Sequence, residues 1–304
     1  MILEVPSSVD FKKHGIDYLN IGWGTVLDIL ISLEDASECH DEEDIKEIGT
    51  DFWVAAEREL ATALSLIEQG AEFLIKARIC EVSPWLLITR NPSEWPRGSS
   101  QQNVNFSLFR TIDAQDLIKV HDTFSAQRIN SEFIEVFDLL RTQRNSIVHT
   151  VDKTMKLTAS KLIEQVLIVS EHLLGSRSWL EHRLEFLERD RHNELYPGEG
   201  GNNYRLAREF ISVVSALKPA ELKRFFDFNK RQRSYRCPEC TNLDWHYDCK
   251  TAQLTPNSPQ GTTLHCYACG QDFIVERTAC NESDCKGNVF STEYGRCLTC
   301  WNEE

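Results

Sequence analysis

Eight of the eleven cysteines fall into two sets whose spacing suits a metal ion. Cys237-Pro-Glu-Cys240 and Cys266-Tyr-Ala-Cys269 are two knuckles, each able to turn a pair of sulfurs onto one tetrahedral ion. Cys280 and Cys285, with four residues between them, form a second set with Cys297-Leu-Thr-Cys300. Soft thiolates at this spacing select zinc over hard cations. Eight ligands make two closed sites with no position left for water, so both zinc ions are expected to be structural and no catalytic metal is expected. The tail has little apolar content, and zinc binding should supply much of its folding free energy. Cys249, His246 and His265 lie close enough in sequence to replace a ligand, but a complete set of eight makes them bystanders. Cys39 and Cys80 read as an exposed and a buried thiol of no special chemistry. Before Cys237 the run RQRSYR offers a small basic, tyrosine-bearing patch, and such modules touch nucleic acid or protein alike.

A second group with chemical potential lies upstream. Phe133, Phe137 and Leu140 mark one helical face, and the next position on that face before Ile147 is Arg144. An arginine on an apolar stripe needs a partner or a ligand to compensate its charge. Asn145 follows it, and His149 stands one turn beyond Asn145 on the same face. Arg144 and His149 are five positions apart, about 140° around an ideal helix, so one helix does not aim both at one atom. Two copies packed about a twofold axis could do so. Arg177 and His182 share the same spacing. The Asn after Arg144, and its place after the Glu72 segment, favour the first pair.

The run QRNSIVH, residues 143 to 149, resembles the signature of HEPN domains, in which an Arg followed by a polar residue precedes a His. The upstream EQGAEFLIKARI, with Glu72 and Lys76, is similar to the equivalent helix of that family. The likeness spans about residues 50 to 190. It implies a helical bundle that dimerises and cleaves RNA through the RNA's own 2'-hydroxyl without metal, with Arg144, Asn145 and His149 at the site and Glu72 and Lys76 in support. It also implies service as a toxin or an antiviral effector, with a neutralising or recruiting protein partner. The rival reading is a non-catalytic HEPN-like dimer that binds nucleotide, RNA or protein while the zinc tail selects the partner.

The elements that must position these groups follow from hydrophobic period. Leu19, Trp23, Val26, Leu30 and Leu33 predict a first amphipathic helix. The next stretch, EDASECHDEEDIKE, holds eight acidic residues from Glu34 to Glu47 and reads as a solvated loop. Leu60, Leu64, Ile67, Ala71 and Leu74 predict a long helix from Asp51 that stops before Pro84. Residues 91 to 103, with two prolines and a glycine, read as a loop. A third helix is predicted over 131 to 149, and a fourth from Thr158 with a weak point at Gly175. The expected organisation is a helical HEPN-like domain over 1 to 195, a linker at 196 to 203, connecting helices at 204 to 233, and a β-rich or irregular double zinc module at 234 to 304. The fold class is mainly α.

Composition sets the remaining bounds. A chain of 304 residues is long enough for two domains. A formal net charge of -14 excludes a protein that grips nucleic acid through overall charge, so any RNA contact must be local. No apolar run approaches a membrane span, and the N-terminus lacks the pattern of an export signal, so neither a membrane nor export is expected. Nine cysteines after Arg236, mostly in tight pairs, favour metal in a reducing cytoplasm.

Overall fold

The computed structural model describes residues 1–39, 42–89, 91–149, 156–175, 178–189, 201–243 and 249–303; the side chains of 38, 39, 42–48, 148, 149, 242 and 243 are outside the description. The chain is mainly helical and divides into two compact units, Met1–Val26 with Lys46–Gly175, and Leu27–Ile45 with Ser176–Glu304.

The first unit is built on α1 (Ser8–Cys39, of which it holds the N-terminal part) and α2 (Glu42–Val82). Three glycines let the two helices touch backbone to backbone. A Cβ on Gly70 would stand 2.9 Å from the Leu19 side chain and 3.0 Å from the Gly15 carbonyl oxygen, and one on Gly22 would stand 2.9 Å from Ile67. Leu19, Trp23 and Val26 from α1 and Leu60, Leu64, Ile67 and Ala71 from α2 fill this core. α1 over Ser8–Ser37 is long and apolar enough, by length and composition, to cross a membrane. By the same measure 44% of that window is buried within the protein, as in the core helix of a globular protein.

A two-stranded parallel ribbon pairs β1 (Ile2–Leu3) with β2 (Val104–Asn105). Between Pro84 and Asp113 the backbone is irregular, broken by short 3-10 turns. A helix not anticipated from sequence follows, α3 (Ala114–Phe124), short and polar but with Leu117 and His121 buried. α4 (Ser131–His149) has the expected bounds and stacks Phe133 on Phe137 at 5.9 Å. α5 (Ala159–Leu173) is capped by Thr158, whose hydroxyl accepts from the Lys161 amide, and is buried along most of its length. Gly175 ends this segment with φ at +93°, a conformation that only glycine adopts freely.

In the second unit α6 (Trp179–Arg189) and α7 (Gly201–Ala216) are joined by a buried fork. Arg183 donates from Nε to Glu209 Oε2 at 2.9 Å and from Nη2 to Oε1 at 2.7 Å. The expected linker at 196 to 203 is half outside the described residues; residues 201 to 203 open α7 instead. The acidic run is likewise not a loop where it is described: α1 continues to Cys39 and α2 begins at Glu42. The physical reason lies 173 residues away, where Arg208 on α7 pairs with Asp35 and the Ser212 hydroxyl donates to Glu34 at 2.8 Å. Acidic residues in the first turn of α2 also suit the positive end of a helix dipole. After α8 (Pro219–Phe226) and the short α9 (Pro238–Leu243) comes an antiparallel sheet, β3 (Ala252–Leu254), β4 (Thr263–Cys266), β5 (Asp272–Glu276) and β6 (Phe290–Ser291), in that order. Phe210 of α7 meets Phe226, Phe228 and Tyr267, which seals the helices of this unit to its sheet.

The crossing of α1 and α2 yields a paired prediction. Gly70→Ala should lower stability by about 1–3 kcal/mol through overpacking. At Gly49 on the same helix, a Cβ meets nothing within 4 Å among the described residues, so Gly49→Ala should raise stability by roughly 0.5–1 kcal/mol through helix propensity. Urea midpoints of the two variants moving in the same direction would show that the close approach at Gly70 is not what limits that position.

Candidate metal centres and the Arg144 cleft

The first cysteine quartet is assembled by α9 and by the end of β4. Cys237 leads into α9, Cys240 lies on it, Cys266 ends β4, and a tight turn returns the chain at Cys269. Gly270 supplies the left-handed φ of +72° that completes this turn, and its amide donates to the Cys266 carbonyl at 2.9 Å. All four sulfurs lie within 4.8 Å of one another, and Cys237 and Cys269 are 3.8 Å apart. Thiolates bonded at about 2.3 Å to a tetrahedral ion are separated by about 3.8 Å along each edge, so the quartet has the dimensions of a filled site. The Thr251 hydroxyl, fully buried, stands 3.2 Å from Cys266 Sγ and can donate to its thiolate.

The second quartet repeats the design with less cover. Cys280 and Cys300 are 3.8 Å apart, as are Cys285 and Cys297. Trp301 takes the place of Gly270, with φ at +70° and its amide donating to the Cys297 carbonyl at 2.7 Å. The Gly287 amide donates to Cys285 Sγ at 3.2 Å, and a Cβ on Gly287 would sit 2.5 Å from Cys297 Sγ. Glycine is required there because the sulfurs close over the backbone. In each set the thiols crowd together: neighbouring thiols push Cys240 upward, and burial pushes Cys300 up to about 12. A divalent cation at the centre reverses that logic and holds all four as thiolates. The residues therefore fit a metal at both places.

The two centres share a spine. Tyr235 pairs with Ala252 of β3 through both amides, and the Arg236 amide donates to Leu298 between Cys297 and Cys300. Arg233 donates to the Lys286 carbonyl and to Thr299 Oγ1, both at 3.1 Å. Of the expected basic, tyrosine-bearing patch, Tyr235 is buried, whereas Arg231 and Arg233 are exposed, Arg233 also holding the second knuckle. Cys249 and His265 belong to neither quartet; the Cys249 carbonyl accepts from Cys237 and Thr251, and His265 pairs with Asp272 at 2.7 Å. His246 and the Cys39 side chain lie outside the described residues. Cys80 is buried, its thiol 3.4 Å from the Pro6 carbonyl, and burial pushes its pKa up.

Arg144 stands on α4 at the edge of the first unit's core, with 30% of its side chain exposed. Its Nε donates to Glu68 Oε2 at 3.3 Å, and its Nη1 donates to Asn145 Oδ1 at 2.9 Å. Glu68 comes from α2, is 1% exposed, and has no hydrogen-bond partner for Oε1 among the described residues. One turn on, Glu72 takes the Lys76 ammonium at 2.5 Å in a buried pair. Glu68, Glu72, Arg144 and Asn145 line one cleft of about 410 Å3 together with Arg110 and Arg141. Of the five sequence-predicted residues, the structure brings Glu72, Arg144 and Asn145 to one cleft, with Lys76 held through Glu72. The side chain of His149 lies outside the described residues, as does Arg177 of the competing pair; His182 is buried on α6.

Sequence reading missed Glu68, Arg110 and Arg141. Glu68 was within reach of a period argument, since Glu68, Glu72 and Lys76 recur every four residues on a helix that is otherwise apolar there. Arg110 sits in the irregular segment, where no period exists to place it.

Burial pushes Glu68 above the usual carboxylate range, Glu72 adds to the push, and Arg144 opposes it. A carboxyl whose folded pKa is raised keeps its proton over a window in which the unfolded chain has lost it, so stability falls as pH rises through that window. Glu68→Gln should flatten this slope between mildly acidic and neutral pH; an unchanged slope in urea titrations would assign it to other groups. For the metal centres, elemental analysis should give two ions per chain. Gly287→Ala should lose the ion of the second quartet and keep the first, with helical circular dichroism intact. Retention of both ions in that variant would mean that the sulfurs do not close over Gly287.

Compared with protein-family models, with curated proteins and with solved structures, the chain finds no match. What the quartets and the cleft do is read from their own chemistry.

Proposed function

We propose that the protein is a metal-independent endoribonuclease of HEPN type that acts as a homodimer, with structural zinc in both cysteine quartets. One observation carries this reading: in a chain of net charge -14, the guanidiniums of Arg110, Arg141 and Arg144 converge on one cleft, and a buried carboxylate orients the last of them. Glu68 grips Arg144 by Nε and Asn145 takes Nη1, which leaves Nη2 for a phosphate oxygen. Zinc fits the quartets because thiolates at tetrahedral spacing select a soft, closed-shell ion. Thiolate ligands suit the reducing cytoplasm, and a toxin or antiviral role suits a nuclease that needs no cofactor for turnover.

The reaction balances without an external reagent. His149 of one copy accepts the proton of an RNA 2'-hydroxyl, the 2'-oxygen attacks the adjacent phosphorus, and the bond to the 5'-oxygen breaks as a proton reaches it from the His149 imidazolium of a second copy. Arg144 stabilises the charge that grows on the phosphate oxygens. Carboxylates in the same cleft, Glu72 and Asp113, favour a second reading, a non-catalytic dimer that binds nucleotide, RNA or protein, with the zinc module recruiting its partner.

Incubation of purified protein with mixed RNA separates the two. Cleavage products should end in a 2',3'-cyclic phosphate, a 2'-deoxy sugar at the cut site should block the reaction, and chelator should not inhibit directly. His149→Ala should reduce the rate by about 10²- to 10⁴-fold. Arg144→Lys keeps the charge but loses the planar fork, and it should fail as well. RNA binding without product would favour the second reading, and full activity in His149→Ala would sink the first.

A further inference from the structure

A different cavity, of about 390 Å3, opens in the first unit on the other side of α2 from Glu68, among α1, α2, α3 and the end of α5. Its size falls within the range of small-molecule sites, roughly 300–1,000 Å3. Leu74 and Leu173 give it an apolar floor, and Lys12, Arg78 and His121 bring nitrogen to it, against one carboxylate, Glu81.

His121 is the telling residue. It is 4% exposed, a burial at which its ring nitrogens need partners. Its Nδ1 lies 2.8 Å from Asp122 Oδ1, and that carboxylate is itself fixed by the Ile129 amide at 2.9 Å. A ring held so on one side presents Nε2 in one direction, and Nε2 has no hydrogen bond among the described residues. Arg78 is half committed: its Nη2 donates to the His172 carbonyl at 2.5 Å at the end of α5, which anchors the guanidinium at the cavity wall and leaves its other N–H groups for a guest. Lys12 makes no ion pair among the described residues.

We propose that this cavity binds a small carboxylate with a short apolar tail: the carboxylate meets Lys12 and Arg78, His121 Nε2 bonds its near oxygen, and the tail lies on Leu74 and Leu173. The two cations set the charge of the guest, and the apolar floor distinguishes a fatty or keto acid from a bare oxyanion. The assignment is independent of the Arg144 cleft.

The test is calorimetric titration of the full, metal-loaded chain with butyrate and, separately, with sulfate. Saturable butyrate binding at one site per chain, tighter than sulfate, is expected. Lys12→Gln and His121→Gln should each weaken it by about tenfold or more, the worth of one charge-assisted hydrogen bond, while Arg144→Gln leaves it unchanged. Lys12 is exposed and makes no hydrogen bond or ion pair among the described residues, so its variant remains informative even if His121→Gln unfolds. Three results would overturn the proposal: no saturable binding of butyrate at tens of millimolar, sulfate bound as well as butyrate, or butyrate binding that survives Lys12→Gln and disappears with Arg144→Gln.

Discussion

Four sulfurs gathered within 4.8 Å, with three of the four cysteines buried in the first quartet and one in the second, are tolerable as thiolates only around a cation, and this constraint organises the described chain after Arg236. The strands are short, two to five residues, and too few apolar side chains stand on them to define a core of their own. What fixes the sheet is that its turns end on ligands: Cys266 closes β4, and Cys297 pairs across to Phe290 of β6. The backbone gives way to the sulfurs wherever the two conflict. Trp301 accepts a left-handed φ that a bulky side chain disfavours, at a cost of order 1–3 kcal/mol, because the knuckle requires that turn after Cys300.

The helical units solve the same problem without metal. Arg183 and Glu209, both nearly or fully buried, satisfy each other through two parallel hydrogen bonds, and Glu209 Oε1 takes a further contact from Arg205 at 3.3 Å. Removing one partner from such a fork strands a charge in the core, which costs several kcal/mol, whereas an apolar pair of equal volume would serve stability as well. A buried fork therefore specifies which face of α6 meets α7 more than it strengthens the contact. Glu68 with Arg144 is built differently. The carboxylate is buried and the guanidinium is not, so the pair fixes the direction of a group that still faces solvent.

The parts of this architecture legible in the sequence were those with local causes. Ligand spacing is set by tight local turns, of two residues in three of the cysteine pairs and four between Cys280 and Cys285, so both quartets could be read from cysteine positions alone. The bounds of α4 followed from Phe133, Phe137 and Leu140, and the break at Gly175 from the residue itself. What stayed hidden had causes far along the chain. Eight acidic residues read as a loop because little near them offers a countercharge; Arg208 supplies one to Asp35, and the Ser212 hydroxyl a hydrogen bond to Glu34, from 173 and 178 positions away. The glycines at 15, 22 and 70 carry no signal until α1 and α2 are laid together. His121 carried no signal, since the helix that holds it was not anticipated and its burial depends on neighbours that no period predicts.

The cleft around Arg144 shows how such remote pairings grade a set of like charges. Arg110 pairs with Asp113 and Arg141 with Asp138, and both carboxylates are more than half exposed. Surface pairs of this kind contribute about 0–1 kcal/mol and reorganise readily, so an arriving anion can displace either carboxylate. Arg144 has less of that freedom, because its partner Glu68 is 1% exposed. One guanidinium is held at a fixed bearing while two exchange partners, which separates a positioning charge from two attracting ones. On the ribonuclease reading proposed above the separation matters: a chain of net charge -14 offers little long-range attraction for a polyanion, so a guanidinium fixed in advance is what the cleft can supply.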